Sequence, residues 1–267
     1  MPFLRTAYEK SPQSIKNILR DIKKISQRKK VYNENRYLKD KTAVIPFGAP
    51  ENNNDLTDFF LKHTDKDIDK WYHYFPIYDK HFSRFRNKPV NILEIGVFKG
   101  GSLKMWKQYF GKDSKIFGMD IDPNCKQYEN LKEGISVIIG DQSDQKFMSD
   151  LMAKLPKIDI LIDDGGHTTH QQINTFLACY DKISENGVYL CEDLHTNYWT
   201  SFIDSKNTFM EFAKKHVDYL NAWFHSEHKK TDKTVPLFTG ITDSVTFYNS
   251  IVVFEKTKVK EPLSQLR

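Results

Sequence analysis

Long apolar runs are absent from this 267-residue chain: no stretch approaches the ~20 residues that a membrane-spanning helix needs, and no signal-like apolar segment opens it. A soluble, cytoplasmic protein is expected. Cysteine is scarce. Cys125, Cys179 and Cys191 are odd in number and far apart, which argues against a disulfide framework and a cysteine-built zinc cluster and leaves reduced structural thiols. Internal repeats and low-complexity tracts are also missing. A net positive charge is missing from most of the chain: residues 1–48 hold twelve Lys/Arg against four Asp/Glu, so of the net +5 the leader carries +8 and the remainder −3. A nucleic-acid groove across the body is therefore not indicated.

What the chain does have is core material, 39% hydrophobic and 13% aromatic, too much to leave in water. In the basic leader, SPQSIKNILRDIKKISQRKK sets Ile15, Ile18, Leu19, Ile22 and Ile25 on one helical face. Such a helix packs on its own domain, or makes a peripheral contact with an anionic membrane at the inner membrane surface. IPFGAPENNND then reads as a loop, and a helical region rich in aromatics is expected from about Leu56 to Phe85. After Pro89 the pattern becomes apolar strands alternating with helices: VNILEIGV, SKIFGMDI, ISVIIGD, IDILIDD and GVYLCED are the strands, and PNCKQYENLKE is among the expected helices. This predicts an α/β fold with a mostly parallel sheet covered on both faces, whose ligand sits outside the strands' carboxyl ends. Two short β runs near the end, Ser244 to Tyr248 and Ile251 to Glu255, predict a closing antiparallel hairpin.

The first crossover, EIGVFKGGS, lacks the GxGxxG spacing of a dinucleotide site, and a carboxylate at Glu94 would oppose a pyrophosphate. A cofactor bearing an ammonium and a sulfonium would suit it. Asp120 ends the second strand where an acid can accept from ribose hydroxyls, and the third ends in GDQSD, where Asp141 could take an adenine amine. Each acid alone also fits a helix cap or turn. Three at successive strand ends are harder to dismiss.

Here the residues resemble a family. EIGVFKGGS, GMDIDP and GDQSD are similar to the cofactor motifs of class I S-adenosylmethionine-dependent methyltransferases. With IDDGGH, GVYLCEDLHTNYW and the terminal FYNSIVVFEK, they resemble the metal-dependent sugar O-methyltransferases, a group that includes macrolide enzymes acting on mycinamicin and macrocin, and the cephalosporin-hydroxylase-like proteins. HTDKDIDKWYHYFPIYDKHFSRFR is similar to that group's TDK segment, with a short charged insertion. The likeness covers about residues 60–256 and not the basic leader. It implies a Rossmann-like, seven-stranded fold divided into a leader and loop (1–55), a helical cap or oligomerisation segment (56–88) and an S-adenosylmethionine-binding domain (89–267) with a lid at about 200–240. Glu94, Gly96, Gly101, Ser102, Asp120, Asp141, Gln142 and Asp163 are the expected cofactor-side residues.

The stretch LIDDGGHTTHQQ then takes on a function. In methyltransferase strand order, LIDD and YLCED end side by side, so Asp164, Glu192 and Asp193 converge into an oxygen-only site suited to Mg²⁺, or else Mn²⁺. His167 is the best candidate for a general base, because imidazole titrates near neutral pH. His195 and Tyr198 are expected to shape the acceptor pocket. The implied activity is methylation of a sugar hydroxyl on a small molecule or a bacterial surface polysaccharide precursor, by a homo-oligomer. A methyltransferase for phenols and a non-catalytic cofactor-binding scaffold are the alternatives.

Overall fold

A computed structural model of the protein describes residues 54–224 and 235–267. The predicted leader helix, with its membrane contact, and part of the predicted lid lie outside them. Seven strands form one sheet: β1 (Asn91–Ile95), β2 (Lys115–Asp120), β3 (Ile135–Ile139), β4 (Ile160–Asp163), β5 (Val188–Cys191), β6 (Thr242–Phe247) and β7 (Val252–Lys256). Their order is β3-β2-β1-β4-β5-β7-β6, parallel through β5 and antiparallel for the closing hairpin. This is the class I methyltransferase architecture expected from the sequence.

Strand periodicity decides which side chains meet which helices. In β4, Ile160 and Ile162 join a core layer with Tyr78, Phe82, Trp106 and Phe110, while Leu161 joins the opposite layer with Phe176, Phe209 and Phe254. The first layer is covered by α1 (Asp55–Lys62), α2 (Phe75–Phe82) and α3 (Gly101–Phe110). The second is covered by α4 (Gln145–Lys154), α5 (Thr169–Cys179) and α6 (Phe209–Leu220). A fully buried side chain such as Trp106, at the centre of the first layer, is worth about 3–5 kcal/mol against truncation to alanine. Helix starts are locally encoded. Asn54, Asp144, Thr168 and Thr208 accept hydrogen bonds from first-turn amides, and Thr168 completes a capping box with Gln171.

Two expectations need correction. The helical region 56–85 is broken: α1 stops at Lys62, residues 63–71 run as an irregular strap that bends at Asp65 and Lys66, and helix resumes at Tyr72. The strap sequence HTDKDIDKW offers charges rather than an apolar stripe, and those charges find long-range partners. Likewise, PNCKQYENLKE forms two short 3₁₀ segments, Pro123–Tyr128 and Leu131–Glu133, instead of an α-helix. Asn130 pairs with Ile135 in both directions and ties the second segment to the start of β3.

Candidate active site

The carboxyl ends of β1 to β5 and the strap enclose a cleft of about 590 Å³. Gly96, Ser102, Asp120, Asp141 and Gln142 line its cofactor half, and Asp164, His167, Glu192 and Asp193 its other half. Gly96 has φ +96°, and a Cβ there would stand 2.1 Å from the carbonyl oxygen of Asp164. That glycine lets the β1 loop and the β4 loop touch. Gly101 does not line the cleft; its missing side chain makes room for Asp67 and Ile68 of the strap.

The acids of the cofactor half are committed to their own chain. Asp120 accepts from the amides of Val97 (2.8 Å), Phe98 (3.0 Å) and Asp122 (2.9 Å). Burial works against its charge, but these amides hold its carboxyl below the usual range. Asp141 accepts from the amide of Ser143. Glu94 departs from expectation, because its side chain is fully buried and lies off the cleft. It accepts from Ser102 Oγ (2.7 Å) and Trp106 Nε1 (2.9 Å), and burial raises its pKa to about 7 against the pull of Lys70 and these donors. Asp163 departs in the same way. It faces the second core layer, where Gln142 Nε2 (2.5 Å) and the Tyr189 hydroxyl (3.1 Å) donate to it, and burial raises it to about 7. Neighbouring residues do point to opposite sides, but the side that Asp163 takes is the core.

The other half is arranged differently. Asp164 Oδ1, His167 Nε2 and Asp193 Oδ2 converge: the imidazole nitrogen is 3.9 Å from the first oxygen and 3.5 Å from the second, short of hydrogen bonding to either. Both His167 (φ +60°) and Asp193 (φ +54°) sit in the left-handed region, a costly conformation for a histidine that the surrounding loop contacts must maintain. Glu192 is buried beside them, and its Oε1 has no partner at hydrogen-bond geometry among the described residues; nor does His167 Nδ1. Burial, then the charge of Asp164, push Glu192 well above the usual carboxylate range. The Tyr74 hydroxyl donates to Asp193 Oδ1 at 2.7 Å.

Sequence reasoning missed Lys70. This strap residue is buried, and its Nζ donates to Asp164 Oδ2 and, at 2.9 Å, to Glu192 Oε2, with Glu94 Oε1 4.0 Å away. Burial disfavours its charge, but the three carboxylates raise its pKa well above the ordinary value. The one available signal was the charged insertion in DKDIDK. A second potential ligand group, His63, Asp65 and Asp67, lies on the same strap, where Lys104 approaches Asp67 at 3.2 Å.

His195 and Tyr198 stand outside the cleft lining. His195 shares a 2.7 Å hydrogen bond with Ser250 Oγ and contacts the rings of Trp71 (5.7 Å) and Trp199 (4.8 Å), both half exposed. The aromatic surface at the rim is therefore Trp71–His195–Trp199, and Tyr198 is an exposed neighbour.

Residues 93–194, from β1 to the end of the carboxylate rim, match the methyltransferase domain family. Those residues are similar to a methyltransferase domain, and the fold is that of class I methyltransferases. Its relatives include the 8-demethyl-8-alpha-L-rhamnosyl tetracenomycin-C 2'-O-methyltransferase of Streptomyces olivaceus, 34% identical, with 62% of this chain and 48% of that protein covered. The demethylmacrocin O-methyltransferase of Streptomyces fradiae is 34% identical, with 60% and 42% covered. In structure the domain is similar to MycE, a methyltransferase from the mycinamycin biosynthetic pathway solved in complex with Mg and SAH: TM-score 0.68, 26% identity, 78% of this chain and 55% of that one covered. The chain spans about half the length of the curated relatives it matches.

Proposed function

We propose that the methyltransferase domain moves the methyl group of S-adenosylmethionine to a sugar hydroxyl with the help of a bound divalent cation. The observation that carries this reading is the convergence of Asp164, His167 and Asp193 at the end of the cofactor cleft, with buried Glu192 beside them. Relatives named as sugar-modifying O-methyltransferases and a neighbour solved with Mg and SAH support it.

The residues fit such an ion. The donors are carboxylate oxygens without a thiol, a hard set suited to Mg²⁺ or Mn²⁺, and Oε1 of buried Glu192, with the Tyr78 hydroxyl nearby, has no partner at hydrogen-bond geometry among the described residues. Asp164, Glu192 and Asp193 would hold it. When bound, the ion supplies Lewis-acid polarisation of the acceptor oxygen, and S-adenosylmethionine supplies the methyl. The chain does the rest. His167 Nε2 faces the space between Asp164 and Asp193, makes no hydrogen bond to either, and accepts the acceptor hydroxyl's proton there. Tyr74 fixes Asp193. The Trp71–His195–Trp199 surface offers aromatic faces to sugar C–H groups at the rim.

The acceptor is a sugar on a glycoside or on a bacterial surface polysaccharide precursor. The test incubates the protein with methyl-labelled S-adenosylmethionine, Mg²⁺ and a panel of glycosides, nucleotide-sugars and a catechol, with and without EDTA. Transfer to a sugar hydroxyl that EDTA abolishes and Mg²⁺ restores is expected. Full turnover in EDTA, or transfer to the catechol alone, overturns the reading.

A further inference from the structure

Lys70 shares its ammonium between two carboxylates in a particular way. It takes Asp164 Oδ2 and Glu192 Oε2, while Asp164 Oδ1 turns towards His167 and Glu192 Oε1 has no partner. Each carboxylate thus gives one oxygen to the lysine, while the other makes no hydrogen bond within the described residues, with His167 near Asp164 and the Tyr78 hydroxyl near Glu192. The placement is built in: the strap that delivers Lys70 is anchored by Asp67, which pairs with His63 and with Lys104, and it passes through the space left by the missing side chain of Gly101. Only 3% of the Lys70 side chain is exposed.

We propose that Lys70 is a tethered counter-cation of the carboxylate site: it stabilises the site when no divalent ion is present and weakens the binding of that ion. The inference rests on the divalent reading above. Two effects of Lys70 on ion binding oppose each other. By fixing Asp164 and Glu192 it removes side-chain ordering that the ion would otherwise have to impose, a gain limited to two short side chains. Against this, its buried positive charge would oppose a divalent ion held by the other oxygens of the same carboxylates, and repulsion over a few ångströms exceeds that ordering term. The charge effect wins, so removing the ammonium tightens the ion.

The test measures Mn²⁺ binding to the full chain by the electron paramagnetic resonance signal of free Mn²⁺, with thermal melting in the presence and absence of Mn²⁺. Lys70→Met removes the charge, and Lys70→Gln removes it while keeping a hydrogen-bond donor. Relative to the unsubstituted protein, both variants are expected to bind Mn²⁺ at least about tenfold more tightly. They should melt at a lower temperature without the ion and gain more from it. A variant that folds only in Mn²⁺ supports the proposal in its strongest form. Equal or weaker Mn²⁺ affinity in the variants overturns it and leaves the divalent reading standing, as does failure of both variants to fold even in excess Mn²⁺. If the unsubstituted protein and both variants bind S-adenosylhomocysteine but no Mn²⁺, the divalent reading itself fails and the role of Lys70 falls with it.

Discussion

The two halves of the cleft handle their acids in opposite ways. Around β1 to β3, Asp120 and Asp141, with Glu94 buried behind the cleft, are satisfied by donors of the same chain: three loop amides, a turn amide, and for Glu94 a serine and an indole. Around β4 and β5, Asp164, His167 and Asp193 converge beside buried Glu192, two residues sit at positive φ, and a carboxylate oxygen and an imidazole nitrogen are buried without partners at hydrogen-bond geometry among the described residues. The first arrangement is what a fold needs to shape a binding loop. The second is unfavourable for a bare protein, and it becomes sensible where an external charge and a reacting hydroxyl complete the site.

Substitutions can break this contrast. The largest expected effect comes from the unsatisfied half: His167→Gln should lower methyl transfer by about 10²–10⁴-fold while circular dichroism and melting stay near those of the parent, and Asp164→Asn should lower it as far but also melt at a lower temperature, because it takes a partner from buried Lys70. An effect below tenfold would place the chemistry elsewhere.

In the satisfied half the effect should fall on stability. Glu94 has a folded-state pKa of about 7, above its ordinary 4.5, so its stabilising contribution is fully present below about pH 4.5 and is lost as pH rises through 7. The loss is on the order of 3 kcal/mol. Asp163, also raised to about 7, contributes in the same window, and buried Glu192, pushed well above the usual carboxylate range, adds to it, so Glu94→Gln should reduce the pH dependence of urea unfolding rather than remove it. The smallest effect is expected at the border. Tyr74→Phe removes one hydrogen bond to Asp193 and should cost about 1–2 kcal/mol, seen as a five- to thirtyfold fall in kcat with S-adenosylhomocysteine affinity unchanged.

Local signals in the sequence were enough for the strands, most of the helices and the terminal hairpin, while the meeting of Asp164, His167, Glu192 and Asp193 at one rim followed from the strand order that the family resemblance implies. Apolar runs and turn residues mark strand ends, and strand order then brings LIDD beside LCED. Orientation was less legible. Asp163 and Glu94 are acids turned into the interior, tolerated because Gln142, Tyr189, Ser102 and Trp106 lie within reach, and no periodicity announces such donors. Lys70 was the least legible residue, since its partners lie 94 and 122 positions away and only the folded chain places the strap over the rim.

The most direct measurement is anomalous diffraction from crystals grown with Mn²⁺ and S-adenosylhomocysteine. A single strong peak ligated by Asp164, Glu192 and Asp193 at about 2.1–2.2 Å, with His167 Nε2 facing the open side, is the expected result. A cleft without a peak, or an ion held instead by His63, Asp65 and Asp67 on the strap, would contradict it.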